Sequence, residues 1–144
     1  MPRNSILLVD DEAGIRQSLS AVLREEGYKV ETVDSGEACL SLLEGQAFEL
    51  ILMDVWLPGL DGLETLEALK RKGVASAVVM ISGHGTIETA VKATRLGAFD
   101  FVEKPLPIEK TLLVIKNALD HKHLQEENRT LRSELGARYR IVGN

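Results

Sequence analysis

Three aspartates, a serine and a lysine stand at positions along this chain from which they could build one reactive centre. Asp10 and Asp11, followed by Glu12, come directly after the apolar run Ile6-Leu7-Leu8-Val9, and Asp54 closes the run Leu50-Ile51-Leu52-Met53. Ser82 follows Ala77-Val78-Val79-Met80-Ile81, and Lys104 stands one residue beyond Phe99-Asp100-Phe101-Val102-Glu103's apolar part. Three carboxylates brought together repel one another and raise each other's pKa unless a cation sits among them. Magnesium suits such a set, because it takes hard oxygen ligands and bridges carboxylates to phosphate. An aspartate carboxylate can also attack phosphorus and form an aspartyl phosphate. The charge on the transferring phosphoryl oxygens is then met by positioning and electrostatics, for which an ammonium and a hydroxyl are apt. Each residue also has a plainer use. Asp10 or Asp11 could cap the first helix, Ser82 could cap a later one, and Lys104 could be a solvated lysine before a turn.

The elements that would position these groups follow from periodicity. Apolar runs near 6–9, 29–33, 50–53, 77–81 and 99–102 alternate with longer segments of helical period, such as Ile15, Leu19, Val22 and Leu23. Gly27, Gly45, Gly73 and Gly97 follow four of the helical segments, where C-terminal caps favour glycine. Runs one, three and four are apolar throughout, as strands buried on both faces should be. Lys29-Val30-Glu31-Thr32-Val33 alternates and the fifth run carries Asp100, so these two are expected at the edges. Right-handed β-α units then give an α/β, flavodoxin-like, doubly wound five-stranded parallel sheet of order 2-1-3-4-5 with five helices. Its ligand crevice lies between strands one and three and gathers Asp10, Asp11 and Asp54.

Composition bounds the possibilities. With 144 residues and 44% hydrophobic content, one domain can form a core without a disulfide or metal staple. The formal net charge of −5 argues against a nucleic-acid-binding surface in this piece. A single cysteine, Cys39, excludes an internal disulfide and fits a reducing compartment. No stretch reaches the roughly 20 apolar residues of a membrane span, and Met1 to Asn4 lead straight into a strand without a secretory segment. A cytoplasmic protein with no membrane partner is expected.

The C-terminal part differs in kind. Ile108, Leu112, Ile115 and Leu119 form a fifth helix expected to pack on the sheet, and residues 121–136 extend it as a linker. Leu124, Asn128, Leu131 and Leu135 are spaced 4, 3 and 4, an a/d seam with Asn at an a position. Two heptads are marginal alone, so the linker is either a frayed, solvated helix or a short parallel dimerising coil. Gly136 is expected to break the helix, and residues 137–144 to begin a further domain.

In this order, Val9-Asp10-Asp11-Glu12, Met53-Asp54, Leu57-Pro58-Gly59-Leu60-Asp61-Gly62, Ile81-Ser82-Gly83-His84-Gly85 and Gly97-Ala98-Phe99-Asp100-Phe101-Val102-Glu103-Lys104-Pro105 resemble the receiver domain of a two-component response regulator over residues 5 to about 120. Ser82 to Thr86, with Ala90-Val91-Lys92-Ala93, is similar to the nitrogen-regulator-like subgroup that activates σ54-dependent transcription. The resemblance implies Asp54 as phosphoacceptor, with Mg2+ held by Asp11, Asp54, Asp10 through water and the Trp56 carbonyl. It makes Ser82 and Lys104 the phosphoryl-binding pair, Ser82 and Phe101 the switch, and Trp56 and His84 the positions that tune dephosphorylation. It implies a usually cis Lys104-Pro105 bond, and a sensor histidine kinase or small phosphodonor as donor. A changing 84–119 face would act on a homodimer joined through the fifth helix and the linker. In that subgroup an AAA+ ATPase and a DNA-binding domain follow, and Tyr139-Arg140-Ile141-Val142-Gly143 resembles the start of the ATPase. No G-x-x-x-x-G-K-[ST] loop occurs in this chain, so DNA and σ54 polymerase are partners only of domains beyond it.

Three rivals differ in class. A magnesium-dependent phosphohydrolase of the haloacid-dehalogenase type needs an aspartate two residues after the nucleophile, where Trp56 stands. An FMN binder needs backbone donors after strand one, where Asp10-Asp11-Glu12 would repel phosphate. A phosphorylation-independent dimerisation module would have no use for the acidic pair, acceptor, hydroxyl and lysine together.

Overall fold

The computed structural model describes residues 4–83 and 85–142, with side chains as far as Asn128. Its elements are β1 (Ser5–Val9), α1 (Ala13–Glu25), β2 (Lys29–Val33), α2 (Gly36–Leu43), β3 (Leu50–Asp54), α3 (Gly62–Arg71), β4 (Ala77–Ser82), α4 (Ile87–Arg95), β5 (Asp100–Glu103) and α5 (Ile108–Val142). All strand pairs are parallel and the order is β2-β1-β3-β4-β5, as expected. The three strands that read as continuously apolar are the central ones. β1 and β3 are buried along their whole length, whereas β2 and β5 present exposed residues at the edges.

The pleat divides the strand residues between two cores. Ile6, Leu8, Leu50, Leu52, Val79 and Ile81 meet Leu19 and Leu23 of α1 and Ile115 and Leu119 of α5. Leu7, Val9, Ile51, Met53 and Met80 face the other way, toward Cys39 of α2, Leu66 and Leu69 of α3 and Ala93 of α4. Alternate side chains of a strand point to opposite faces, so one apolar run serves both layers. Burial on both sides fixes register, because a one-residue slip would exchange the two sets.

Two expectations about glycine need correction. Gly27, Gly73 and Gly97 take positive φ after α1, α3 and α4, but Gly45 is not in that region. Its N–H bonds back to the Leu42 carbonyl at 3.3 Å, closing α2 with a tight turn instead. Gly136 does not end the last helix, whose backbone continues to Val142. Glycine inside a helix costs about 1 kcal/mol relative to alanine, a penalty that a 35-residue helix without proline can absorb.

The stripe of α5 that meets the sheet also differs from expectation. Thr111, Val114, Ile115, Ala118, Leu119 and Lys122 are buried, whereas Ile108 is 43% exposed. The first turn of α5 lies at the rim, where Ile108 borders an apolar groove with Pro105, Leu106, Ile15 and Leu19. Leu113 and Leu124 lie on the opposite face and are more than half exposed. Among the described residues no helix is long and apolar enough to cross a membrane.

Candidate functional site

Strand register assembles the rim. Val9 is level with Met53, and Asp54 is level with Ile81, so Asp10 emerges from β1 beside Asp54. Ser82 pairs with Glu103, and the Lys104 N–H donates to the Ser82 carbonyl at 2.7 Å. Four strand ends thus bring carboxylates, hydroxyl and ammonium to one edge, the place where open α/β sheets bind ligands.

Lys104 is the hub. Its ammonium lies 3.0 Å from Asp10 Oδ2, 3.0 Å from Asp54 Oδ2 and 3.2 Å from Glu12 Oε1, with only 12% of the side chain exposed. A solvated lysine before a turn is thereby excluded. Burial, the largest single influence, pulls the ammonium down, and hydrogen bonds to Asp10 and Asp54 more than reverse it, leaving Lys104 above the ordinary lysine value. Asp54 behaves differently. Burial raises its carboxyl above the ordinary aspartate range, Lys104 pulls it part of the way back, and nearby Asp10 pushes it up.

Ligand atoms of Asp10, Asp11, Glu12 and Asp54 all lie within 4.8 Å of one another, with Asp10 and Asp54 buried and Asp11 and Glu12 exposed. Four carboxylates against one ammonium leave the pocket short of positive charge. All-oxygen donors, two of them open to solvent, suit a hard divalent cation that keeps part of its water. The cluster is typical of the receiver Mg2+ site, and the residues fit that ion.

The plainer uses of these residues do not hold. Neither Asp10 nor Asp11 caps α1: the N-cap is Glu12, whose side chain makes no capping bond, and Asp10 Oδ1 accepts from the Glu12 N–H at 2.9 Å. Ser82 does not cap α4, because Thr86 is the N-cap and accepts from the Thr89 N–H at 3.1 Å. Ser82 is fully buried at the end of β4.

The loop after β3 is held by close backbone contact. The Trp56 N–H donates to Asp54 Oδ1 at 3.2 Å, fixing the carboxylate, while the Trp56 side chain is 54% exposed. The Gly62 N–H donates to the Val55 carbonyl at 2.8 Å, and a Cβ at Gly62 would fall on the Asp54 carbonyl oxygen. Asp61 starts α3 with a reciprocal capping box with Glu64. The bond between Lys104 and Pro105 is cis.

Phe101 is half-buried on β5, and its ring lies where a Cβ at Gly85 would meet it at 2.6 Å. His84 lies outside the described residues. Of the linker seam, Leu124 and Asn128 are exposed, and the side chains of Leu131 and Leu135 lie outside the described residues. Sequence reasoning missed the share that Glu12 takes in holding Lys104. Its place after two aspartates was the available signal.

Residues 6–116 match the family described as the response regulator receiver domain. The nitrogen assimilation regulatory protein NtrX of Azorhizobium caulinodans is 40% identical over 142 residues, 97% of this chain and 31% of that protein. The crystal structure of NtrX from Brucella abortus superposes with a TM-score of 0.84 at 41% identity, covering 90% of this chain and 30% of that one. The solution structure of the beryllofluoride-activated NtrC4 receiver domain dimer gives a TM-score of 0.78 at 40% identity, covering 83% of this chain and 98% of that one. The chain spans about three tenths of the length of the curated relatives it matches. A phosphohydrolase or flavin binder is set aside by the same match. With its fold, its acidic rim and most of its length in agreement, this chain belongs to the response regulator receiver domain family.

Proposed function

We propose that the domain is a phosphorylation switch in which Asp54 accepts a phosphoryl group from a sensor histidine kinase or a small phosphodonor. The observation that carries this reading is one ammonium, Lys104, held 3.0 Å from each of two buried carboxylates beside two exposed ones. An Asp54 carboxylate oxygen attacks phosphorus, a new O–P bond forms, and the bond to the donor's nitrogen or oxygen breaks with its electrons leaving on the donor. Asp54 is held for this by the Trp56 N–H and by Lys104. Lys104 then pairs with one phosphoryl oxygen, and the Ser82 hydroxyl donates to another. Asp11, Asp54 and the Trp56 carbonyl, with Asp10 through water, would hold Mg2+, which would supply positive charge against the phosphoryl oxygens. The exposed Trp56 indole shields the product from water; a shorter decay half-life in Trp56→Asn is expected, and an equal one overturns that role.

The acyl phosphate carries about −1.5 to −2 units of charge where the Asp54 carboxylate carried a single one. Ser82 moves toward it and Phe101 fills the space released, changing the 84–119 face. Driving such a switch from 1:99 to 99:1 takes about 5.5 kcal/mol of differential stabilisation, most of it within reach of a few charge-assisted hydrogen bonds and a metal ion. His84 joins Trp56 in tuning dephosphorylation. The output passes along α5 into a dimerising linker over residues 121–136, with 137–144 beginning a downstream domain. The beryllofluoride-activated NtrC4 receiver domain dimer and the similarity to NtrX support this reading. The regulated output is a σ54-dependent transcription-activating ATPase in the cytoplasm, with DNA and polymerase contacted by other domains.

Incubation with acetyl phosphate and Mg2+ should give an adduct of about 80 Da on intact mass, labile to hydroxylamine as an acyl phosphate. It should vanish in Asp54→Ala and with chelator. A chain that stays unmodified under these conditions, or dimerises identically with and without beryllofluoride, is a phosphorylation-independent module instead.

A further inference from the structure

A second cluster of buried charge lies on α5, on residues that the rim chemistry does not use. Glu49, just before β3, is 4% exposed, and Lys122, on the last buried turn of α5, is 5% exposed. The Lys122 ammonium is 3.4 Å from Glu49 Oε2, and it also bonds Glu126 one turn further on. His123 Nε2 stands 3.6 Å from the same Glu49 oxygen, and neither of those two atoms has a hydrogen bond. On the other side of Lys122, the His121 ring meets the Phe99 ring at 5.4 Å between centroids.

Consecutive helix residues project about 100° apart, so contacts at 121, 122 and 123 hold α5 across about 200° of its circumference. A helix gripped at one point can roll; one gripped over this arc cannot roll without breaking a contact. Buried ion pairs add little to stability, but removing one partner leaves a charge stranded, and their best-attested use is to fix register. Leu124, next in sequence, falls outside the arc and is 59% exposed.

We propose that Glu49 is a register pin for the helix that leaves the receiver. It fixes the rotational setting of α5, so residues 121–126 belong to the receiver body and the free linker begins only after Glu126. Resting on the switch reading above, which counted the linker from residue 121, the pin decides which way the exposed Leu124, and the linker from Asn128 onward, is turned in each state. Phe99, immediately before β5, meets His121 beside the pin, and Phe101 within β5 lies beside Gly85 near the rim, so one short segment touches both.

Hydrogen exchange on the resting 144-residue chain tests the pin without any phosphoryl chemistry. Glu49→Gln should free Lys122 to follow Glu126 into solvent and lower protection of the amides at 121–126 at least tenfold, leaving β1 and β3 protected. The paired apolar replacement Glu49→Leu with Lys122→Met should restore protection, since it leaves no stranded charge. Unchanged protection in Glu49→Gln overturns the proposal. If Glu49→Gln loosens the whole domain, the paired variant decides: regained protection at 121–126 supports the pin, and its absence overturns it. Failure of the switch reading is a separate result, seen as no adduct on Asp54.

Discussion

Lys104 Nζ lies 3.2 Å from Glu12 Oε1, although 92 residues separate the two in sequence. The same ammonium holds Asp10 and Asp54, so it stands where carboxylate charge is most concentrated. On the proposed reading, a phosphoryl group on Asp54 would draw Lys104 out of part of this arrangement.

Removing that ammonium should therefore slow phosphoryl uptake. A hydrogen bond to a charged group is worth about 1.5–3 kcal/mol, which corresponds to roughly ten- to hundredfold in rate. Lys104→Met should lose that much in the initial rate of adduct formation from acetyl phosphate at saturating Mg2+, followed by intact mass. A rate equal to wild type would show that Lys104 serves only the resting state.

Asp54 carries a pH signature. Its folded carboxyl is raised above the unfolded value by burial, so its ionisation disfavours folding at neutral pH. As pH falls through the raised value, the folded state takes up the proton before the unfolded chain does, and that disadvantage fades. In chelator, Asp54→Asn should gain most over wild type in thermal stability at neutral pH, with the gain shrinking on acidification. A difference that is flat with pH argues against a strained Asp54 carboxylate.

Magnesium should stabilise the domain through mass action, by about 2.7 kcal/mol at a concentration of 100 Kd. Asp11 is exposed and takes no part in the Lys104 cluster. Asp11→Ala should therefore leave the chelated protein within about 0.5 kcal/mol of wild type and abolish the Mg2+ shift. Thermal melts with and without Mg2+ read both at once; an undiminished shift in Asp11→Ala would remove Asp11 from the ion's ligands.

Gly62 touches the backbone of the candidate acceptor. A Cβ there collides with the Asp54 carbonyl oxygen and crowds the Val55 Cα, neither of which can swing aside like a long side chain. Gly62→Ala should cost about 1–3 kcal/mol in urea unfolding, as overpacking does, and slow adduct formation as well. Loss of stability with unchanged uptake would mean that the loop relaxes away from Asp54.

Much of this was legible in the sequence for one reason: β1, β3 and β4 are buried on both faces. Their apolar runs stand out, and the polar residue ending each run is automatically at the rim. The edges were equally readable, because Glu31 and Asp100 cannot sit in a central strand. What escaped was pairing across distance. Glu49 reads as a loop carboxylate ahead of an apolar run, and Lys122 as one charge among many on a polar helix. Only folding shows that each neutralises the other in a buried place. The capping of α4 was misleading for a related reason, since Ser82 and Thr86 have the same capping chemistry and only Thr86 has the geometry. Gly136 illustrates the limit of punctuation: a residue that often ends helices does not end one whose neighbours are good helix formers.

The length of α5 gives the receiver mechanical advantage. Thirty-five residues make a rod of about 52 Å, of which the part beyond Glu126 is about 24 Å. Tilting the held portion by about 5° carries the far end of a straight rod through about 2 Å, enough to move a leucine from one hole of a facing helix toward the next. A domain whose chemistry is confined to one pocket can thus act at a distance by leverage, without any large rearrangement of its own core.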